Sequence, residues 1–243
     1  CPSRTLSLSP RQRIVLYREL ARRNRADEPS NQLARLFDYQ GIDTCAATGL
    51  CADRCPVGIN TGALIKKLRT DKYQRFVPIA RWSADHFAGV TRTARGALGL
   101  KAIAGKLLGD KALAGLVGGV RKLSGQRTPA WLPTLPGPSR YQWLQGEGSH
   151  DGSSERAVVY LPSCASRVFG QQEEAPSLPD VVQSLLKKAG CRVIVPARVE
   201  GLCCGMPYDS KGMSEVAEAK RSEQAEALWQ ASEQGRWPVL LDT

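Results

Sequence analysis

Three cysteines, Cys45, Cys51 and Cys55, fall in the run Asp43-Thr-Cys-Ala-Ala-Thr-Gly-Leu-Cys-Ala-Asp-Arg-Cys-Pro-Val-Gly-Ile-Asn60. Thiolates hold iron–sulfur clusters, and ferredoxin-type segments space them as C-x2-C-x2-C-x3-C-P, the fourth cysteine serving the other cluster of a pair. The run matches that frame at three of four cysteines and ends on C-x3-C-P, with Thr48 where the second cysteine is expected. Cys1-Pro2 repeats the Cys55-Pro56 ending 54 residues earlier. Cys1 is therefore expected to join Cys45 and Cys51 around one cluster, while Cys55 serves a second. Thr48 leaves the first site one thiolate short. Either a [3Fe–4S] cluster forms with that corner empty, or a [4Fe–4S] cluster takes a hydroxyl or water on its fourth iron. The plainer alternative is that the cysteines are small core residues.

A second constellation is Tyr160-Leu-Pro-Ser-Cys164 with Gly201-Leu-Cys-Cys-Gly-Met-Pro-Tyr208. Adjacent side chains point in different directions, so Cys203 and Cys204 before Gly205 suit sulfurs aimed at a metal, a cofactor or each other. A packing accident or a strained vicinal disulfide is the alternative. Cys191, opening an apolar segment after Gly190, is expected to be a buried structural cysteine. Eight cysteines in such contexts fit metal thiolates better than secreted disulfides, which points to a reducing compartment and a cytoplasmic setting. With only His86 and His150 present, a histidine-rich zinc or copper site is not expected. His86 reads as a packed or surface residue, and no catalytic acid or base can be named.

The elements around these residues change character along the chain. Ser9-Pro10 opens a helix running to about Asn24, Ser30 to Tyr39 reads as a second, and Gly41 should release the chain into the cysteine run. Asn60-Thr-Gly starts another helix, and residues 75–125 read as Gly/Ala-rich helix. Pro129 to Gly152 reads as an irregular linker. Strands are expected from Arg156, over Cys191-Arg-Val-Ile-Val-Pro196 and over Pro238–Asp242, alternating with helices over Leu178–Gly190 and Ser214–Gln234. That alternation implies a parallel α/β sheet with Cys164 and the Cys203-Cys204 loop at strand ends. Three segments result: 1–90, mainly helical; 91–155, basic helices and linker; and 156–243, α/β. A start at Cys1 and a stop at Leu-Leu-Asp-Thr243 read as an internal piece of a longer protein, truncated at both ends.

Charge is uneven. Residues 1–125 hold 22 Lys/Arg against 9 Asp/Glu, and residues 126–243 hold 12 against 14. The basic half could meet an anionic membrane surface or an acidic protein. No zinc finger, helix-turn-helix or aromatic RNA-binding motif accompanies it, so nucleic acid is not expected as a partner. No apolar window of about 20 residues is present, so no spanning helix is predicted. Lys101, Lys106 and Lys111 interrupt apolar residues at helical intervals. The helix carrying them either packs on its own domain or rests on a membrane surface or partner.

The cysteine spacing with helices between the two Cys-Pro endings resembles the all-helical ferredoxin domain of succinate dehydrogenase and fumarate reductase iron–sulfur subunits. There a C-x5-C-x3-C-P segment goes with a three-iron cluster. Cys164 with Cys203-Cys204-Gly205 resembles half of the cysteine-rich CCG domain of heterodisulfide reductase and the anaerobic glycerol-3-phosphate dehydrogenase iron–sulfur subunit. Cys-Pro-Ser-Arg4, Ser9-Pro-Arg-Gln-Arg13, Gly41-Ile-Asp-Thr-Cys-Ala-Ala-Thr-Gly-Leu-Cys51, Cys55-Pro-Val-Gly-Ile-Asn-Thr-Gly62 and Gly201-Leu-Cys-Cys-Gly-Met206 occur in that order. Together they are similar to the C-terminal portion of the long FAD- and iron–sulfur-containing D-lactate dehydrogenases. The resemblance implies a helical ferredoxin-like part followed by a parallel α/β CCG-type cysteine-rich domain. It implies cluster ligands among Cys1, Cys45, Cys51, Cys55, Cys164, Cys203 and Cys204. It also implies an upstream FAD domain oxidising a D-2-hydroxy acid, and a quinone or cytochrome as electron acceptor. Basic helices would suit peripheral contact with the inner face of the membrane. An iron–sulfur subunit of glycerol-3-phosphate or glycolate oxidation, or a heterodisulfide-reductase-like thiol module, are the alternatives; a zinc-binding interaction domain fits least.

Overall fold

Helices dominate the structure, a computed structural model that describes residues 7–23, 28–125, 132, 134–140, 156–170 and 176–242, with the backbone alone at 28 and 29. In chain order come α1 (Pro10–Arg22), α2 (Glu28–Phe37), a π-helical turn (Asp38–Asp43), α3 (Leu50–Asp53) and α4 (Thr61–Tyr73). A 3-10 turn (Gln74–Phe76) leads to α5 (Val77–Asp85), α6 (Phe87–Leu108) and α7 (Asp110–Leu123). Next are β1 (Ala157–Leu161), α8 (Cys164–Val168), α9 (Leu178–Lys188), β2 (Arg192–Ile194) and a 3-10 turn (Val199–Gly201). The chain closes with α10 (Met206–Asp209), α11 (Ser214–Ala231) and β3 (Val239–Leu241). It divides into two compact units, Cys1–Ala84 with Cys204–Lys220, and Asp85–Cys203 with Arg221–Thr243. Residues 204–220, which the sequence groups with the α/β segment, thus belong to the first unit. Among the described residues no helix is long and apolar enough to cross a membrane.

In the first unit, α1 starts on a capping box: the Ser9 hydroxyl accepts the Gln12 amide and the Gln12 side chain accepts the Ser9 N–H at 2.8 Å. Gly41 does not end α2. It sits inside the π-helical turn that continues the helix, where a Cβ would meet the Phe37 ring at 2.4 Å. Asn60 caps α4 as expected, its Oδ1 accepting the Ala63 amide at 3.2 Å. Helix α1 packs on α2 and α4, and α3 and the π-helical turn pack on α4. Leu20, Phe37 and Ile65 are buried there. The returning segment 204–220 is fastened to α4. Lys66 pairs with Asp209 at 2.5 Å, and the Thr70 hydroxyl donates to the Gly212 carbonyl at 2.8 Å.

The second unit contains the three-stranded parallel sheet, ordered β2-β1-β3. Val158 lies opposite Val193, and Tyr160 opposite Leu240. Central β1 is buried at Ala157, Val159, Tyr160 and Leu161, as a parallel strand covered on both faces should be. Leu161, Val199 and Leu202 form a core against Val195, Ala227 and Leu228. The helical stretch expected over 75–125 is broken at His86 and at Gly109, whose φ of 76° suits a residue without a Cβ. Arg92 and Arg95 of α6 both reach Glu200, at 3.3 and 3.5 Å. His86 is exposed. Of the expected linker, residues 132 and 134–140 are described; Pro138 bridges to Phe169 there, and His150 lies outside the described residues. Cys191 is half-buried rather than buried, because the strand begins only at Arg192 and leaves it on the preceding turn.

Candidate functional site

The run from Cys45 to Cys55 is held by the elements on either side of it. Upstream, the π-helical turn ends in carbonyls that lack helical partners, and two arginines supply donors. Arg13 from α1 is 1 % exposed and its Nε donates to the Gly41 carbonyl at 2.8 Å. Arg69 from α4, 4 % exposed, donates to the carbonyls of Ile42, Asp43 and Cys45 at 2.7, 3.1 and 2.6 Å. The other guanidinium nitrogen of Arg69 donates to the Ser210 carbonyl at 2.5 Å. One side chain therefore ties the first cysteine run to the segment that follows Cys204-Gly205. Asp43 accepts from Lys72 at 2.9 Å and from the Tyr73 hydroxyl at 2.9 Å, and Lys72 also reaches Asp38 at 2.7 Å.

Downstream, the chain turns twice in the left-handed region, at Ala47 (φ 51°) and Gly49 (φ 78°), before the single turn of α3. Cys51 lies in that turn with its sulfur 3.9 Å from Asn60 Oδ1. Burial pushes the Cys51 thiol up, but the N–H groups of Gly62 and Thr61 and the Thr61 hydroxyl outweigh it and hold the thiol below its ordinary value. Those groups are the first turn of α4, where unpaired amides and the helix dipole favour negative charge. Cys55 is treated likewise: the amides of Ile59, Val57 and Gly58 curl around its sulfur and lower its pKa against a small burial effect. Gly58 makes that turn at φ 67°. A small cleft of about 20 Å³, open to solvent, is lined by Arg13, Cys45, Thr48, Cys51, Thr61 and Gly62 among others. Cys45, Thr48 and Cys51 thus share one cleft, and Cys55 is not on its lining.

In the second unit, β1 runs through Pro162 into Ser163, which caps α8 and places Cys164 at the first helical position, just past the strand end. The Ser163 amide and the Tyr160 hydroxyl both donate to Asp242, just past β3. Arg167 of α8, 6 % exposed, donates to the carbonyls of Val199 and Leu202, the residues leading to Cys203. Burial lowers the Arg167 pKa, while its electrostatic interaction with Cys164, Cys203, Glu200 and Asp242 opposes that fall. Cys164 and Cys203 hence both lie within electrostatic reach of one buried guanidinium. Cys203 is 1 % exposed.

Cys204 is exposed and belongs to the first unit. Gly205 after it takes φ 78°, and a Cβ there would sit 2.3 Å from the Ala217 carbonyl oxygen. The glycine of Cys-Cys-Gly is thus required by backbone packing.

Sulfur donors fit a thiophilic metal group, and amides aimed at Cys51 and Cys55 fit thiolates that carry charge. Among the described residues no three Cys, His, Asp or Glu side chains converge as a metal site, and Cys1 lies outside them. Arg69 and Arg167 were not singled out from the sequence. Their roles depend on which carbonyls the fold leaves unpaired, and spacing carries no trace of that. Comparison with family models, with curated proteins and with solved structures gave no match.

Proposed function

We propose that this chain carries the iron–sulfur electron relay of a flavin-dependent D-2-hydroxy-acid dehydrogenase of the D-lactate type. The FAD domain would belong to the same protein, and a quinone or cytochrome at the inner, cytoplasmic face of the membrane would be the acceptor. The observation that carries this reading is the loop from Cys51 to Gly62, where two thiols face backbone amides beside a cleft that also holds Cys45 and Thr48. A cluster bound there would take up and release single electrons between a two-electron donor and its acceptor.

The rest falls to the chain's own residues. Cys45 and Cys51, with Cys1, would hold one cluster, and Cys55 a second. Thr48 either leaves a corner of the first cluster empty, a [3Fe–4S] form, or faces a hydroxyl or water on a [4Fe–4S] form. Amides of Thr61, Gly62, Val57 and Ile59 would offset thiolate charge and so tune potential. Arg13 and Arg69 fix the backbone that aims Cys45. Cys164 and Cys203 would be thiolate donors in the second unit, with Arg167 as their positive neighbour, and Cys204 a donor in the first.

The test is a visible spectrum with metal analysis of the protein purified without oxygen. A broad absorption bleached by dithionite, lost in Cys45→Ser and Cys51→Ser but kept in Cys191→Ser, is expected; a colourless or zinc-containing protein overturns the reading. Electron paramagnetic resonance of the oxidised protein separates the three-iron from the four-iron form. D-lactate should bleach the same bands in the flavin-containing protein, and indifference to it removes the dehydrogenase assignment. A thiol-redox module of the heterodisulfide-reductase kind has Arg167 beside both Cys164 and Cys203 in its favour. Turnover of a disulfide substrate, abolished by Cys164→Ser, would select it.

A further inference from the structure

In the first unit, α1 packs on both α2 and α4, yet the three helices leave a cleft between them. Tyr17, Leu20 and Ala21 stand at i, i+3 and i+4 on one face of α1. Ala34, Phe37 and Asp38 repeat that spacing from α2 into the π-helical turn. These faces, with Arg35, Ile42 and Leu68, line a cleft of about 400 Å³ that opens to solvent. Two alanines account for the gap, because Ala21 and Ala34 bring no atom beyond Cβ where longer side chains would fill the space. The volume lies within the roughly 300–1,000 Å³ of small-molecule sites. The cleft beside Cys45 and Cys51 is far smaller and shares none of these residues.

The walls are mostly apolar, with Leu20 and Phe37 buried, and three polar side chains stand among them. Asp38 is engaged, its carboxylate accepting from Lys72 at 2.7 Å. The Tyr17 hydroxyl and the Arg35 guanidinium make no hydrogen bond or ion pair with any described residue. An apolar body entering the cleft would displace water from its walls, and the two unengaged groups would offer donors to an acceptor. A guanidinium fork matches a carboxylate through two parallel hydrogen bonds. A cationic head would instead meet Arg35 and find Asp38 already held by Lys72.

We propose that this cleft binds a small carboxylic acid with an apolar body, the body lying against Leu20, Phe37, Ile42 and Leu68 and the carboxylate reaching Arg35 and Tyr17. This goes beyond the iron–sulfur reading and does not rest on it; the heat of binding is measured without colour or turnover, so either can fail alone. The experiment is calorimetric titration of the full chain with 1-naphthoate, with neutral 1-naphthalenemethanol and cationic 1-naphthylmethylammonium as counterparts. Saturable one-to-one binding of 1-naphthoate is expected, with both counterparts at least about tenfold weaker, as suits hydrogen bonds to a charged group. Arg35→Gln should weaken 1-naphthoate binding about tenfold and Tyr17→Phe about fivefold, and Ala34→Leu should abolish it by filling the cleft. Tyr17 and Arg35 are exposed, so far-UV circular dichroism of those two variants should stay unchanged. They decide the matter if Ala34→Leu does not fold. Absence of saturable binding, equal or tighter binding of either counterpart, or binding unchanged in Arg35→Gln overturns the proposal.

Discussion

Gly201 and Gly205 stand in one short motif, Gly201-Leu-Cys-Cys-Gly205, yet physics asks different things of them. Gly205 needs a left-handed backbone, and the Ala217 carbonyl oxygen occupies the place of a Cβ 2.3 Å away. Gly201 has open space around its Cβ position and no positive φ. An alanine at 205 would combine left-handed strain of about 1–2 kcal/mol with overpacking of about 1–3 kcal/mol. Gly205→Ala is therefore expected to lower the urea midpoint clearly, and Gly201→Ala to leave it nearly unchanged. Equal midpoints for the two would refute the packing account of the motif. The cysteines differ in the same residue-by-residue way: Cys203 is buried beside its core neighbours and Cys204 is exposed.

At the scale of elements, α4 organises the first unit. Its first turn supplies the amides around Cys51, its middle receives Asp209 and Gly212, and Arg69 and Lys72 near its end hold the π-helical turn. Charge-assisted hydrogen bonds such as those of Arg69 contribute on the order of 1.5–3 kcal/mol each. Asp43 makes the contribution of one such contact measurable by pH. Burial pushes its carboxyl up, but hydrogen bonds from Lys72 and Tyr73 and the nearby ammonium charges bring it below the ordinary value of 3.8. A carboxyl depressed on folding stabilises the native state above the unfolded value and loses that effect as pH falls through the folded one. The difference in Tm between the protein and Asp43→Asn should thus be full near neutrality and shrink below about pH 3.8. A difference that does not change with pH would mean the ion pair is not its source.

Over the whole molecule, the first unit is built from two separated stretches, Cys1–Ala84 and Cys204–Lys220. Residues 1–90 expressed alone would keep Lys66, Arg69 and Thr70 but lose Asp209, Ser210 and Gly212, their partners. Such a fragment should exchange its α4 amides much faster than the full chain, and equal protection would contradict this dependence. Local periodicity and caps made much of the fold legible. Ser9-Pro10 and Asn60 start helices, and the β-rich segments from Arg156, Cys191 and Pro238 become one parallel sheet. The return of 204–220 to the first unit could not be read, since it depends on contacts more than a hundred residues apart in sequence. Gly41 misled for a related reason: a glycine looks like a helix stop until the Phe37 ring shows what its missing Cβ makes room for. Within the candidate site, sequence could name the thiols, whereas the amides facing them depend on how α4 and the Cys55 turn fold.

That division has a consequence in time. A ribosome delivers the chain from its N-terminus, and 136 residues separate Ala84 from the end of Lys220. At 5–20 residues per second, that is roughly 7–27 s of synthesis. During that interval α4 exists without Asp209, Ser210 and Gly212, and the second unit is being made while the first waits. Cys45, Cys51 and Cys55 accordingly spend their first seconds on a unit that still lacks the segment bonded to Lys66, Arg69 and Thr70.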